Sequence, residues 1–258
     1  MQEVFSKDPF VGFYNLGTEL TWSLTTDIDW APEYAIESLL SLIEGFGIPV
    51  TAFATHDSHL LKSAPDWVEI GLHPDNTRPD PRYGLARKLS TLKEIYPESI
   101  GMRAHRNFFG QNIAHYAREA GLVYDVSVLN WCRPFGQVFQ DQYGLYRMSY
   151  NWEDGVHADM GLDWDLKHLP IEQPGLKIFN CHPIFIYLNA PDDDYRRAIV
   201  RDYPNLQDAP EAALKSAIYP GYGAREFLLD LLRTLKSRNA SAYTLSQMIR
   251  AATQEGIR

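Results

Sequence analysis

Short apolar runs alternate with runs of helical periodicity along most of this 258-residue chain, and this alternation constrains the fold more than any single motif. Apolar and β-branched runs predict seven strands, at 20–29, 48–56, 67–73, 99–105, 122–128, 145–152 and 176–182. Between them, apolar residues recur at helical spacing, as in the stripe of Ile36, Leu39, Leu40 and Ile43 that comes after Pro32. Strand and helix in alternation predict a parallel sheet with crossover helices.

The choice between an open sheet and a closed barrel depends on the residues just after the first strand. No G-x-G-x-x-G or P-loop string stands there, which disfavours a nucleotide-binding open sheet. We therefore expect an α/β fold with a barrel of parallel strands.

Domain organisation is expected to be simple, because composition does not shift along the chain. We expect a single domain over residues 1–258, with long loops at 74–84 and 189–220. Helices within 224–254 should complete it, and Thr244 with Gln247 matches a helix capping box. The first of these helices carries an apolar stripe made of Ala224, Phe227, Leu228, Leu231, Leu232 and Leu235.

Composition and charge exclude several classes of protein. Apolar residues make up 45% of the chain, enough to offset the entropy of ordering it. The 24 Lys+Arg against 33 Asp+Glu give a net charge of −9, which argues against nucleic-acid binding. No run approaches the ~20 apolar residues of a membrane span. The N-terminus lacks a charged segment before an apolar run, so a cytoplasmic location is expected, and Cys132 and Cys181 are too few for a disulfide scaffold.

Residues that bind metals or move protons stand at the ends of several predicted strands. Such ends are Asp27-Ile28-Asp29, His73-Pro74-Asp75-Asn76, Arg103-Ala104-His105, Trp152-Glu153-Asp154 and Asn180-Cys181-His182. In a parallel barrel all carboxyl ends of the strands lie on one face, where active sites are built. The sequence therefore predicts one polar site on that face.

Asp27 and Asp29 stand two residues apart, so strand alternation would point both carboxylates to the same face. Two close carboxylates resist ionising together unless a cation lies between them. A metal ion held by one would leave the other free to act as a base. The alternative for Asp29 is a helix N-cap before Pro32. For His73, a zinc-ligand role competes with that of an ordinary hydrogen-bonded histidine.

Five strings taken in order resemble the NodB-type polysaccharide deacetylases, known as carbohydrate esterase family 4. They are LTTDID, EIGLHPD, GMRAHRNFFG, LVYDVSV and FNCHPIFIYLN, and they cover residues 20–189. The resemblance implies a deformed (β/α) barrel of about seven parallel strands. It also implies a divalent metal, commonly zinc, and hydrolysis of acetamido groups on carbohydrates or related amides.

Residue by residue, the resemblance implies a set of roles. Asp27 matches the catalytic base, Arg103 the arginine that orients it, and His182 the general acid. Asp29 and His73 match metal ligands. Asp125 falls in the family's fourth motif.

The chain departs from the family pattern at one position that concerns the metal. Four residues after His73 the family has a second histidine, and here stands Thr77. A catalytic zinc site usually holds three protein ligands and a water. His105 or Asn76 could supply the third ligand, and we favour His105 because imidazole suits zinc better than an amide does.

The predicted function is a metal-dependent deacetylase acting on an acetamido sugar or a related amide. Trp131, Trp152 and Asp154 are the expected substrate contacts, because aromatic faces stack on sugar rings and the 152–164 segment is acidic and aromatic together. Three alternatives stay open at this point. They are a non-catalytic carbohydrate-binding barrel, an amidase acting on a small non-sugar amide, and a glycosidase that uses Glu153, Asp154 or Asp27.

Overall fold

A ring of parallel strands forms the centre of the computed structural model, which describes residues 20–77, 84–134 and 136–253. The strands are β1 (Leu20–Asp27), β2 (Val50–Ala54), β3 (Val68–Leu72), β4 (Gly101–Met102), β5 (Tyr124–Leu129), β6 (Val138–Gln140), β7 (Tyr146–Tyr150), β8 (Trp152–Glu153), β9 (Gly175–Cys181) and β10 (Ser241–Ala242). Their order in the sheet is β6-β7-β5-β4-β3-β2-β1-β9-β8, and β10 pairs with β1.

Helices come after most of these strands and cover the outside of the ring. They are α1 (Glu33–Glu44), α2 (His59–Lys62), α3 (Gly84–Ile95), α4 (Gln111–Glu119), α5 (Asp154–Asp159), α6 (Pro183–Leu188), α7 (Asp193–Val200), α8 (Glu211–Ser216), α9 (Ala224–Ser237) and α10 (Leu245–Thr253). The predicted stripe on α9 is buried along its whole length, as a helix packed on a core requires.

Asn151 closes the ring of strands. It stands between β7, which pairs with β5, and β8, which pairs with β9. Its backbone N–H donates to the Ile178 carbonyl at 2.8 Å, and its side-chain Oδ1 accepts from the Ile178 N–H at 2.8 Å. Residues 146–153 therefore act as one strand that joins β5 to β9. The ring has seven positions, all parallel, which confirms the predicted deformed barrel.

The amino-terminal end of the ring is closed by α10. The Leu245 N–H donates to Thr51 Oγ1 at 3.0 Å, and the Ser246 N–H donates to Glu69 Oε2 at 3.0 Å. The predicted capping box is present, since the Thr244 N–H donates to Gln247 Oε1 at 2.9 Å and the Gln247 N–H to Thr244 Oγ1 at 3.4 Å. With this end covered, the opposite face, at the carboxyl ends of the strands, is left open for a site.

The segment 189–220 differs from its prediction as a loop, because it contains α7 and α8. Both helices are short, and α7 is held at its start by Asp192, whose side chain accepts from the Tyr195 N–H at 2.7 Å. Residues 78–83 of the predicted loop at 74–84, the N-terminal segment 1–19 and residue 254 lie outside the described residues. No helix in the described part of the chain is both long and apolar enough to cross a bilayer.

Position 101 must be a glycine, because the Tyr124 ring leaves no room for a Cβ atom. A Cβ built there would lie 1.8 Å from Cζ of the Tyr124 ring, whose side chain is fully buried inside the ring of strands. We predict that Gly101→Ala lowers the free energy of unfolding by about 1–3 kcal/mol, because overpacking forces the ring or the strand to move. Urea unfolding measures this difference. Gly110→Ala is the control, since Gly110 has an extended φ of −165° and open space around it.

Candidate active site

The turn after β1 places Asp29 at the open face of the barrel. Strand β1 ends at Asp27, and Asp29 and Trp30 adopt φ values of 38° and 56°, in the left-handed region that non-glycine residues rarely occupy. The first turn of α1 has Pro32 at its N-cap and no side-chain cap, so the interpretation of Asp29 as a helix cap is wrong. The carboxylate of Asp29 instead faces two histidines.

Three ligand atoms from three strand ends meet at this face. Asp29 Oδ1 lies 3.2 Å from His73 Nε2 and 3.1 Å from His105 Nδ1, and the two ring nitrogens are 3.3 Å apart. In a tetrahedral zinc site with bonds of 2.0–2.1 Å, two ligand atoms are about 3.3–3.4 Å apart. The spacing of the three atoms therefore fits a divalent metal, and the donor set of one carboxylate and two imidazoles suits zinc.

Two further observations on the same residues agree with this fit. Burial raises the pKa of the Asp29 carboxyl, but hydrogen bonds with His105 and His73 bring it well below its ordinary value, so the group is an anion. His73 is buried, and its other ring nitrogen, Nδ1, has no hydrogen-bond partner among the described residues. That nitrogen faces Asp27 Oδ1 at 3.8 Å.

His105, and not Asn76, lies beside the Asp29–His73 pair. Its backbone N–H donates to the Pro74 carbonyl at 3.1 Å, which ties the two strand ends together. The turn continues through Arg106 and Asn107, with φ values of 54° and 55°. Asn76 points elsewhere, with Nδ2 donating to the Phe108 carbonyl at 3.4 Å, and Thr77 is exposed.

Asp27 is held in a buried ion pair with Arg103. Arg103 Nη1 donates to Asp27 Oδ1 at 2.9 Å, and both side chains are almost fully buried. The guanidinium lies between two rings, with Cζ 4.6 Å from the Phe53 centroid and 4.3 Å from the Tyr150 centroid. Burial raises the pKa of the Asp27 carboxyl, but Arg103, with help from His73 and His182, brings it below its ordinary value. Asp27 is therefore ionised at neutral pH.

Asn180 supports this ion pair from the neighbouring strand. Its Nδ2 donates to Asp27 Oδ2 at 3.0 Å, and its Oδ1 accepts from Arg103 Nη1 at 2.6 Å. Sequence reasoning assigned no role to Asn180. Its position two residues before His182 on a predicted strand was a usable signal, because alternation turns both side chains to the same face.

His182 is bound by Asp154 on the side away from Asp29. Its Nδ1 lies 2.5 Å from Asp154 Oδ1, its backbone N–H donates to Asp154 Oδ2 at 2.7 Å, and its Nε2 lies 3.7 Å from Asp29 Oδ2. Burial lowers the pKa of His182, but the charge and hydrogen bond of Asp154, followed by Asp29 and Asp27, raise it to about 10. The ring is thus protonated at neutral pH and presents Nε2 to the open face.

These groups line one cleft of about 540 Å³, within the usual range for small-molecule sites. The predicted catalytic and metal residues all lie on its wall, together with other residues. The wall includes Asp27, Asp29, His73, Arg103, His105 and His182, and also Asn107, Tyr150, Glu153 and Phe185.

The three predicted substrate contacts lie elsewhere, which corrects that expectation. Trp152 is 1% exposed and faces outward from its strand, with its ring 5.2 Å from that of Phe227 on α9. Asp154 is fully buried behind His182. Trp131 is half-buried beside His157, outside the cleft wall. Neighbouring residues of a strand point to opposite faces, so Glu153 turns to the cleft and Trp152 turns away from it.

Asp125, expected to belong to the family's fourth motif, also lies away from the cleft wall. It is buried on β5, where its carboxylate accepts from Arg147 Nε at 2.9 Å and from the Ser127 N–H at 3.0 Å. Its contacts organise the end of that strand.

Comparison with known proteins identifies the family. A sequence profile of the WbmS-like polysaccharide deacetylases matches residues 24–199, so the chain belongs to this family. It is a divergent NodB-type member, and deacetylases of this kind hydrolyse amide bonds.

Two solved structures resemble this one. A protein of Bordetella bronchiseptica, WbmS, assigned as a polysaccharide deacetylase involved in O-antigen biosynthesis, is 26% identical, with a TM-score of 0.74 over 83% of this chain and 90% of that one. The Bc1960 peptidoglycan N-acetylglucosamine deacetylase is 13% identical, with a TM-score of 0.50 over 95% and 92%, and this likeness shows a shared fold. No curated protein matches the chain.

The geometry of the three ligand atoms predicts which substitutions weaken metal binding. We predict that Asp29→Ala abolishes both bound metal and turnover, and that His105→Ala weakens zinc binding by more than about 100-fold, since partners that only orient ligands already contribute 10–100-fold. Elemental analysis and competition with a chromogenic chelator measure the loss. Thr77→Ala is the matched control, because Thr77 stands where the family has a histidine but lies outside the site. Full zinc affinity in His105→Ala would contradict the assignment.

Proposed function

We propose that this chain is a metal-dependent deacetylase that hydrolyses the acetamido group of a sugar. The observation that carries the proposal is the meeting of three metal-ligand atoms with an ionised carboxylate and a protonated imidazole in one cleft. Asp29, His73 and His105 would hold the ion. When bound, the ion would supply Lewis acidity, which would polarise an amide carbonyl and lower the pKa of water towards ~7.

Asp27 would act as the general base. Its ion pair with Arg103 keeps it ionised, and the hydrogen bond from Asn180 fixes the plane of the carboxylate. An ionised carboxylate on the cleft wall can take the proton of the attacking water as that water adds to the amide carbon. Arg103 is a positioning residue in this scheme, because it acts through Asp27.

His182 would act as the general acid. An amine leaves an amide carbon poorly unless a proton reaches its nitrogen, and a half-buried imidazolium with Nε2 at the cleft can supply that proton. Asp154 holds the ring through Nδ1, so Nε2 is the nitrogen that faces substrate.

The WbmS relationship supports a substrate class. That protein is assigned to O-antigen biosynthesis, which favours an acetamido sugar of a bacterial surface polysaccharide or of its precursor. The non-catalytic alternative is disfavoured, because an ionised carboxylate, a protonated imidazole and three atoms able to hold a metal line one cleft. For the glycosidase alternative, the burial of Asp154 leaves only Glu153 and Asp27 of its candidates on the cleft wall.

Acetate release tests the function. We expect the zinc-loaded protein to release acetate from N-acetylated sugars, to lose this activity with a chelator, and to regain it when zinc returns. Asp27→Asn should lower kcat by about 100-fold or more, the range for removal of a general base. A new reducing end without acetate would show glycoside cleavage, and no release from any acetamido sugar would contradict the proposal.

The pH profile tests the Asp154–His182 pair. The acid must be protonated, so activity should fall as pH rises through the pKa of His182, which is about 10 without metal; a cation at Asp29 lowers that value. Asp154→Asn removes the negative charge that raises this pKa, so we predict that the alkaline limb of kcat/KM moves to lower pH. Glu119→Gln, an exposed change on α4, should leave the limb in place.

A further inference from the structure

Glu153 lines the cleft but takes part in neither the Asp27–Arg103 ion pair nor the metal site. Its Oε2 accepts from the Tyr150 hydroxyl at 2.8 Å, and that hydroxyl accepts from Asn107 Nδ2 at 2.7 Å. The Tyr150 ring is itself fixed by the Arg103 guanidinium stacked on it. One oxygen of Glu153 is therefore held in a defined position by neutral groups.

The carboxylate of Glu153 has no cationic partner in the described part of the chain. Within residues 20–77, 84–134 and 136–253, no Lys, Arg or His nitrogen lies within 4.0 Å of it, and the Tyr150 hydroxyl is its one hydrogen-bond donor. Burial raises the pKa of Glu153, with His182 and Tyr150 acting in the opposite direction. No ion pair within 4.0 Å compensates this half-buried carboxylate, so a ligand that supplies hydrogen-bond donors would stabilise it.

The position of Glu153 shows which part of a substrate it would meet. It pairs across the sheet with Asn180, whose amide donates to Asp27, and it directly precedes Asp154, which holds His182. Glu153 therefore lies on the wall between the base and the acid. In the proposed reaction the amide nitrogen must lie against Nε2 of His182 to receive its proton. Glu153 lines the same cleft as His182, and the charge of His182 lowers the pKa of Glu153.

We propose that Glu153 accepts a hydrogen bond from the amide N–H of the substrate and pairs with the ammonium group of the deacetylated product. This rests on the proposed deacetylase function and names its substrate class. An acetamido group has an N–H for Glu153, whereas an acetate ester has none. Glu153 is thus a residue that selects N-acetyl over O-acetyl groups.

Binding of amino sugars tests the proposal without catalysis. Calorimetric titration of the zinc-loaded full chain uses glucosamine and galactosamine, with glucose and galactose as partners that lack the amine. We expect tighter binding of the amino sugars, and Glu153→Gln should weaken it about tenfold or more while changing glucose and galactose less than about twofold. Glu37→Gln, an exposed change on α1, controls for net charge. Thermal unfolding of each variant confirms that it is folded.

Equal binding of amino and hydroxyl sugars by the parent protein, or no binding of an amino sugar at millimolar concentration, overturns the proposal. So does an unchanged amino-sugar affinity in Glu153→Gln. Tyr150→Phe keeps the Glu153 carboxylate but removes the hydrogen bond that positions it. This variant should lose amino-sugar affinity to an extent between that of the parent protein and that of Glu153→Gln.

Acetate release then separates this proposal from the function on which it rests. With N,N′-diacetylchitobiose, Glu153→Gln should lower kcat/KM about tenfold or more, while hydrolysis of 4-nitrophenyl acetate changes less than about twofold. Amine binding that depends on Glu153 in a protein that releases no acetate would keep the subsite and refute the deacetylase. Equal kinetics of parent and variant on the amide, with acetate released, would refute the subsite and keep the deacetylase.

Discussion

Closure of the strand ring through Asn151 is the constraint on which the rest of the structure depends. Its backbone and side chain both bond to Ile178, so that residues 146–153 complete a ring of parallel strands. In a closed parallel ring every strand delivers its last residues to the same face. Side chains far apart in sequence, from position 27 to position 182, meet there at strand ends or within a few residues of them.

A second consequence of closure is that the charges of the site are buried together. Arg103 is stacked between Phe53 and Tyr150 and bonded to Asp27, an arrangement that would be costly with either partner missing. Asn180 and Thr25 complete the bonding of Arg103 Nη1, at 2.6 and 3.0 Å. The network holds the Asp27 carboxylate in one ionised state and one orientation, which is the kind of preorganisation that electrostatic catalysis requires.

Much of the fold and part of the site could be predicted from the sequence. Strand-like runs located all seven ring positions, because a fully buried strand is a short apolar run bounded by turn residues in the sequence. The order of polar strand ends led to Asp29, His73 and His105, which the structure brings together. Trp152 could not be placed, since both faces of such a strand are apolar and only the packing of α9 shows which one points outward. The roles of Asn180 and Glu153 depend on hydrogen bonds with residues of other strands, such as Asp27 and Tyr150.

The three residues that provide the possible ligand atoms differ in how strained the backbone around them is. His73 comes directly after β3, whereas Asp29 and His105 belong to turns with left-handed residues at 29, 30, 106 and 107. Such conformations cost roughly 1–3 kcal/mol each and persist where the surroundings enforce them. A cation that bridges the two turns would stabilise them. Metal binding and the ordering of these turns would therefore be thermodynamically coupled. Side chains that would not touch the ion, such as Trp30 against the His105 ring, would then help to set its affinity.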